Sequence, residues 1–117
     1  MVKENRILEM TFGFSIEIIG LYKVLSGQHE YVLSKQLLRS ATSIGANVEE
    51  ANAAQSKKDF IAKMAIASKE ARESRYWLRL LDKSQMVSND YTPYLDSIES
   101  IIMALTKIVK TSQQSLT

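Results

Sequence analysis

Cysteine is absent from the 117 residues, and histidine occurs once, at His29. The first absence excludes a disulfide scaffold, thiolate zinc sites, iron–sulfur clusters and a cysteine nucleophile. The second excludes multi-histidine metal sites. Proline is single and glycine occurs four times, which leaves little turn material for an all-β fold. Excess charge is scarce too. Lys and Arg total 15 against 13 Asp and Glu, a net charge of +2, too mild to demand a nucleic-acid partner by itself. Apolar residues, by contrast, make up 45% of the chain, too many for a disordered polypeptide. The length suits one domain over residues 1–117.

Lys3, Glu4 and Arg6 precede an apolar stretch from Met10 to Tyr22. Glu17 interrupts that stretch and no small-residue cleavage site closes it, so no signal peptide is expected. No uncharged run is long enough to span a bilayer. The chain reads as cytoplasmic, without a membrane partner.

Breaks occur at Ser26-Gly27, at Ala53-Ala54-Gln55-Ser56 and from Val87 to Pro93. Between them apolar residues recur at three and four, the helical period. A first helix is predicted over about Lys3–Leu25, with Gly27 as its C-terminal stop. It carries two adjacent stripes, Leu8, Phe12, Ile19 and Tyr22 beside Ile7, Phe14, Ile18, Leu21 and Leu25. A face this wide suits a helix that touches two neighbours. A second helix, about Glu30–Ala53, has a seam of Leu33, Leu37, Ala41, Ile44, Val48 and Ala51. Ser40, Ser43, Gly45 and Ala46 would let another helix come close.

A third helix, about Lys57–Lys83, starts at Ser56 as N-cap with Asp59 three residues on. Its seam is Phe60, Met64, Ala67, Ala71, Leu78 and Leu81. A fourth, about Thr92–Thr111, has Asp90 or Thr92 as N-cap and a seam of Tyr94, Ile98, Ile101, Leu105 and Ile108. The tail from Thr111 to Thr117 is expected to fray. Four long helices with short connections predict an all-α fold, an antiparallel up-and-down four-helix bundle.

The chemistries usual in such bundles lack their residues. A di-iron carboxylate site needs two Glu-x-x-His motifs. Glu49, Glu50, Glu70 and Glu73 are present mid-chain, but no imidazole stands at the required spacing. Serine is abundant, yet His29 is the only imidazole base and falls in a turn. There is no G-x-S-x-G, P-loop or G-x-G-x-x-G. No catalytic residue, metal or cofactor is assigned, and the chain does not read as an enzyme.

The third helix is more informative. On a helical wheel Lys69, Arg72, Arg75, Arg79 and Lys83 fall within about 120° of one another, with Tyr76 among them. A basic stripe with an aromatic in it suits phosphates, and Arg forks suit bidentate contact. Lys35 and Arg39, one turn apart on the second helix, extend the patch if they lie nearby. The plain alternative is a solvated face whose cations pair with acids on neighbouring helices. Ile66, Trp77 and Leu80 form a second apolar face, suited to a neighbouring helix or to a subunit interface, where Trp is enriched. A bundle with more apolar faces than its core needs tends to oligomerise.

The run Gln36-Leu37-Leu38-Arg39-Ser40-Ala41, continued by Ser43-Ile44-Gly45-Ala46-Asn47-Val48-Glu49-Glu50-Ala51, resembles a known signature, close to Q-L-R-R-A-x-x-S-I-x-x-N-I-x-E-G. It is that of the bacterial four helix bundle family of 23S rRNA intervening-sequence proteins, which also includes relatives of the accessory variability determinant of diversity-generating retroelements. Lys58-Asp59-Phe60, Ile66 to Ser74 and Tyr76-Trp77-Leu78-Arg79-Leu80-Leu81 resemble its third-helix signature. The sequence departs from the pattern at Ala51, where the family has Gly. Asn47, Glu50 and Glu73 match polar positions of the family and are expected to bond across helices two and three. The resemblance implies a ring-like homopentamer and an accessory or scaffold protein rather than an enzyme, in some relatives associated with RNA or reverse transcriptase. The expected function is therefore a non-catalytic oligomeric bundle that binds RNA, DNA or a ribonucleoprotein through Lys35, Arg39, Lys69, Arg72, Arg75, Arg79 and Lys83. The alternative is a protein-interaction scaffold without nucleic acid.

Overall fold

The computed structural model describes residues 2–116, with side chains from Arg6 to Leu116; Lys3 and Glu4, noted at the N-terminus, lie outside the described side chains. Four helices account for nearly all of it: α1 (Val2–Gly27), α2 (Leu33–Asn52), α3 (Lys57–Ser84) and α4 (Thr92–Gln114). They form a rod of 48 × 22 × 21 Å. Each helix touches its neighbours in the cyclic order α1–α2–α3–α4 and neither diagonal pair meets. Bonded pairs give the directions. Arg39 meets Glu73 while Glu50, three turns along α2, meets Lys63. Arg72 meets Thr106 while Arg75 meets Glu99. Both pairings run antiparallel, so the bundle is up-and-down.

The core is built from the predicted seams. Ala41, Ile44, Val48, Ala67, Ala71, Leu78, Leu81, Ile98 and Leu105 are fully buried. Small residues let α2 and α3 come closest, and there Ser40 and Ser74, both wholly buried, bond to one another at 2.8 Å. Gly45 faces α1 at ordinary van der Waals distance. A Cβ there would meet the Thr11 carbonyl oxygen and the Ser15 hydroxyl at 3.5 Å.

Several local expectations are corrected. The first concerns α1, whose stripe Ile7, Phe14, Ile18, Leu21 and Leu25 is buried, while Phe12 is 64% and Ile19 38% exposed. The second stripe is used only in part, with Leu8 packed against the core and Tyr22 half-buried, because α1 packs extensively on α2 but thinly on α4. The second concerns the end of α1. Gly27 stays helical, and His29 adopts the left-handed conformation with φ 68°. The N–H of Glu30 reaches back to the Leu25 carbonyl and that of His29 to Ser26, the bond pattern of a Schellman turn with His29 in the place usually held by Gly.

The third concerns the start of α2, three residues later than expected. Glu30 is held outside the helix by its own side chain. Its carboxylate accepts from the backbone N–H groups of Val32, Leu33 and Ser34 at 2.7–3.0 Å, covering donors that a helix start leaves open. The start of α3 is as expected, with Ser56 Oγ accepting from the Asp59 N–H at 3.1 Å. At α4 the N-cap is Tyr91, without a side-chain cap bond, rather than the expected Asp90 or Thr92; the Asp90 carboxylate accepts from the Thr92 N–H at 3.0 Å, which holds that carboxyl below its usual range. The helix continues to Gln114, three residues past the expected end; Thr117 lies outside the described residues. Among the described residues no helix is long and apolar enough to cross a membrane.

Candidate nucleic-acid interface

The helix that carries the basic stripe has two polar flanks, and the structure separates their cations by what they meet. On the α2 flank Arg39 bridges two acids of α3. It donates to Glu70 Oε1 at 3.3 Å and to Glu73 Oε2. Glu73 also accepts from the Trp77 indole N–H at 3.1 Å. The Trp77 bond above all, and Arg39 after it, hold the Glu73 carboxyl below its ordinary range. The Glu73 bond in turn raises the already high pKa of Arg39. On the α4 flank Arg75 donates to both oxygens of Glu99 at 3.1 and 3.3 Å. Two of the seven expected phosphate contacts, Arg39 and Arg75, are thus tied to carboxylates. This is the outcome expected of an ordinary interhelix pair.

The outward face is different. Lys69, Arg72, Tyr76, Arg79 and Lys83 are all exposed, spaced three, four, three and four residues apart. That alternation keeps them in one line along the helix. At 1.5 Å per residue the line is about 21 Å long. Among the described residues none of its four cations closes an ion pair. Arg72 donates to the neutral Thr106 hydroxyl at 3.1 Å. Tyr76 is 53% exposed and sits edge-on to Trp77 at 5.2 Å. Of the three acids between Lys69 and Lys83 in sequence, Glu70 and Glu73 are engaged by Arg39, and Glu73 by the Trp77 indole as well. Lys35 is exposed on α2 and, among the described residues, also closes no ion pair.

The other expected residues divide in the same way. Glu50 bonds across to Lys63 at 3.0 Å, and Glu73 bonds across to Arg39. Asn47 does not cross. Its amide donates to the Ser43 carbonyl at 2.9 Å and to the Ser43 hydroxyl at 3.2 Å, on its own helix. The short side chain is served by the preceding turn before it can reach α3. Trp77 is half-buried against the bundle's own core, so the apolar face of Ile66, Trp77 and Leu80 is divided. Ile66 remains outward, 40% exposed, and Leu80 is half-buried. Among the described residues no three His, Asp or Glu converge as metal ligands.

The family model for 23S rRNA-intervening sequence proteins matches residues 3–107. The chain belongs to this family. A solved structure from the S23 ribosomal protein family, a Bacteroides thetaiotaomicron protein of unknown function, is 43% identical; the match covers 92% of this chain and 98% of that one, with a TM-score of 0.87. No curated protein matches. For this family member, the sequence reading missed Glu99 and Thr106 as partners of the stripe. They could have been found once an antiparallel register was assumed, because Arg72 and Arg75 then face the middle of the fourth helix. Glu30 was missed because it was placed inside a helix it caps.

The Glu73 cluster makes a pH prediction. Its folded-state pKa lies below the ordinary value of 4.5. The stability it supplies is complete above that value and is lost as pH falls through the lower folded value. Between pH 6 and pH 3 the urea midpoint should therefore fall more for the wild type than for Glu73→Gln. Equal falls in the two proteins would show that the cluster adds no pH-dependent stability.

Proposed function

We propose that the protein is a non-catalytic, oligomeric accessory protein of the cytoplasm that binds a nucleic acid or a ribonucleoprotein along the outward face of α3. The single observation that carries this reading is the line Lys69, Arg72, Tyr76, Arg79 and Lys83, four cations that close no ion pair among the described residues, around one exposed aromatic. Cations left free of carboxylates keep their full attraction for phosphates, and a Tyr face among them suits stacking with an unpaired base. RNA fits the family's name better than DNA. Lys35 is a candidate second contact, whereas Arg39 and Arg75 shape the surface by neutralising acids beside it.

Assembly with further copies, in a pentamer as the family resemblance implies, is supported by α1. Phe12, Ile16 and Ile19 are exposed along one face, and a ring would repeat the α3 line and raise avidity. The same face favours the second reading, a scaffold whose partner is another protein.

The test is RNA affinity against salt. Binding should weaken steeply as salt rises, with the logarithmic slope reduced by about 0.7–0.9 for each phosphate contact removed. Arg72→Ala with Arg79→Ala and Lys83→Ala should together cost about a hundredfold at low salt, each lost charged contact being worth about 1 kcal/mol. Arg75→Ala, already paired to Glu99, should change little. Absence of RNA binding at low salt, or equal affinities for the triple variant and wild type, rejects the reading in favour of a protein-only scaffold.

A further inference from the structure

The bundle does not close at the pole where α1 and α3 begin and α4 ends. A groove of about 740 Å³ opens there, where α1 and α4 share the thinnest contact of the bundle. Its lining includes Ile7 and Met64, which are only 2% and 1% exposed, so the groove reaches the core. Met10, Phe60 and Met103 add apolar surface. Three cations, Arg6, Lys57 and Lys107, also line it, and among the described residues no carboxylate does. Among the described residues none of these three closes an ion pair.

The volume lies within the range of about 300–1,000 Å³ that holds small ligands. An apolar floor with cations of one sign beside it asks for a molecule that is apolar over most of its length and anionic at one end. A nucleic-acid strand would satisfy the cations but leave the floor wet. A neutral hydrocarbon would fill the floor but leave the cations unused. Three methionines on the lining suit a flexible chain, because the unbranched thioether adapts its shape to what it touches. We infer that this groove binds a long-chain monocarboxylate, with its alkyl chain against Met10, Phe60, Met64 and Met103 and its carboxylate among Arg6, Lys57 and Lys107.

The experiment uses the full chain and a fluorescent polyene fatty acid, cis-parinarate, below its micelle concentration. Saturable binding of one probe per chain is expected, displaced by oleate. Oleyl alcohol, which has the same chain without the charge, should displace about tenfold less well, as expected for loss of charge-assisted hydrogen bonds. Lys57→Glu with Lys107→Glu should weaken oleate by about tenfold or more on the same grounds. Ala104→Trp, which places an indole in the groove, should abolish binding. Lys23→Glu, exposed near the far end of α1 from the groove, should leave binding unchanged. Circular dichroism confirms that each variant is folded. Non-saturable probe uptake, equal displacement by oleate and the alcohol, or unchanged oleate affinity in the double Lys variant would each overturn the assignment. So would a change of molar mass in Ala104→Trp without loss of oleate binding, which would make the groove a contact between chains.

Discussion

Glu30→Ala is expected to lose about 2–4 kcal/mol of folding stability, read as a fall of about 2–3 M in the urea midpoint. The side chain is 6% exposed and supplies three acceptor contacts to the first turn of α2, at 3.0, 2.9 and 2.7 Å. Alanine removes the acceptor from all three donors, of which the Ser34 N–H is buried. A lost N-cap alone costs about 0.5–2 kcal/mol, and a charge-assisted bond to a nearly buried acceptor is worth more than a neutral one. The neighbouring bond from the Ser34 hydroxyl to the Glu30 carbonyl at 2.7 Å depends on the same turn and should loosen with it. Glu30→Gln, which keeps one acceptor oxygen but no charge, should recover part of the loss. An unchanged midpoint in Glu30→Ala would mean that water replaces the carboxylate and that the turn is held by the Schellman bonds alone.

That residue also marks where sequence reading reaches its limit. The helical seams were legible because a 3.6-residue period states which side is apolar, and Leu37, Ala41, Ile44 and Val48 needed nothing else to be placed in the core. Helix ends are set by single hydrogen bonds. Glu30 is a good helix former by propensity, and only its bonds to Val32, Leu33 and Ser34 put it outside α2. Gly27 is the residue most suited to a left-handed stop, yet the chain turns at His29 because the Glu30 to Leu25 bond fixes the turn there.

The candidate interface shows the same division. A wheel drawn on α3 groups five cations, and it cannot say which of them face carboxylates. That depends on the register of α2 and α4, which brings Glu99 to Arg75 and leaves Arg79 and Lys83 open. The groove at the α1, α3 and α4 pole has no linear signature at all. Arg6, Lys57 and Lys107 are about 50 residues apart along the chain, and only the fold gathers them.

The largest effect on assembly is expected from α1. Phe12→Asp with Ile16→Asp should reduce the molar mass in light scattering to that of one chain while leaving the helical content and thermal midpoint of the bundle nearly unchanged. Both positions point away from the core, at 64% and 55% exposure, so the monomer has no packing to lose. Each side chain, if covered by a neighbouring copy, contributes about 1.5–3 kcal/mol to the contact. Losing two and adding two carboxylates weakens subunit association by about 10³-fold or more. Two glycines on α1 support an external contact. A Cβ at Gly13 or Gly20 would meet nothing within 4 Å, so packing inside the chain explains neither, although each costs about 1 kcal/mol against Ala in a helix. They stand seven residues apart, on one face, where a crossing helix from outside would benefit from their small size. Gly13→Ala with Gly20→Ala should therefore stabilise an isolated bundle yet weaken the assembly. If wild type is already monomeric, or the Asp pair leaves its mass unchanged, the exposed face of α1 is not the contact between copies.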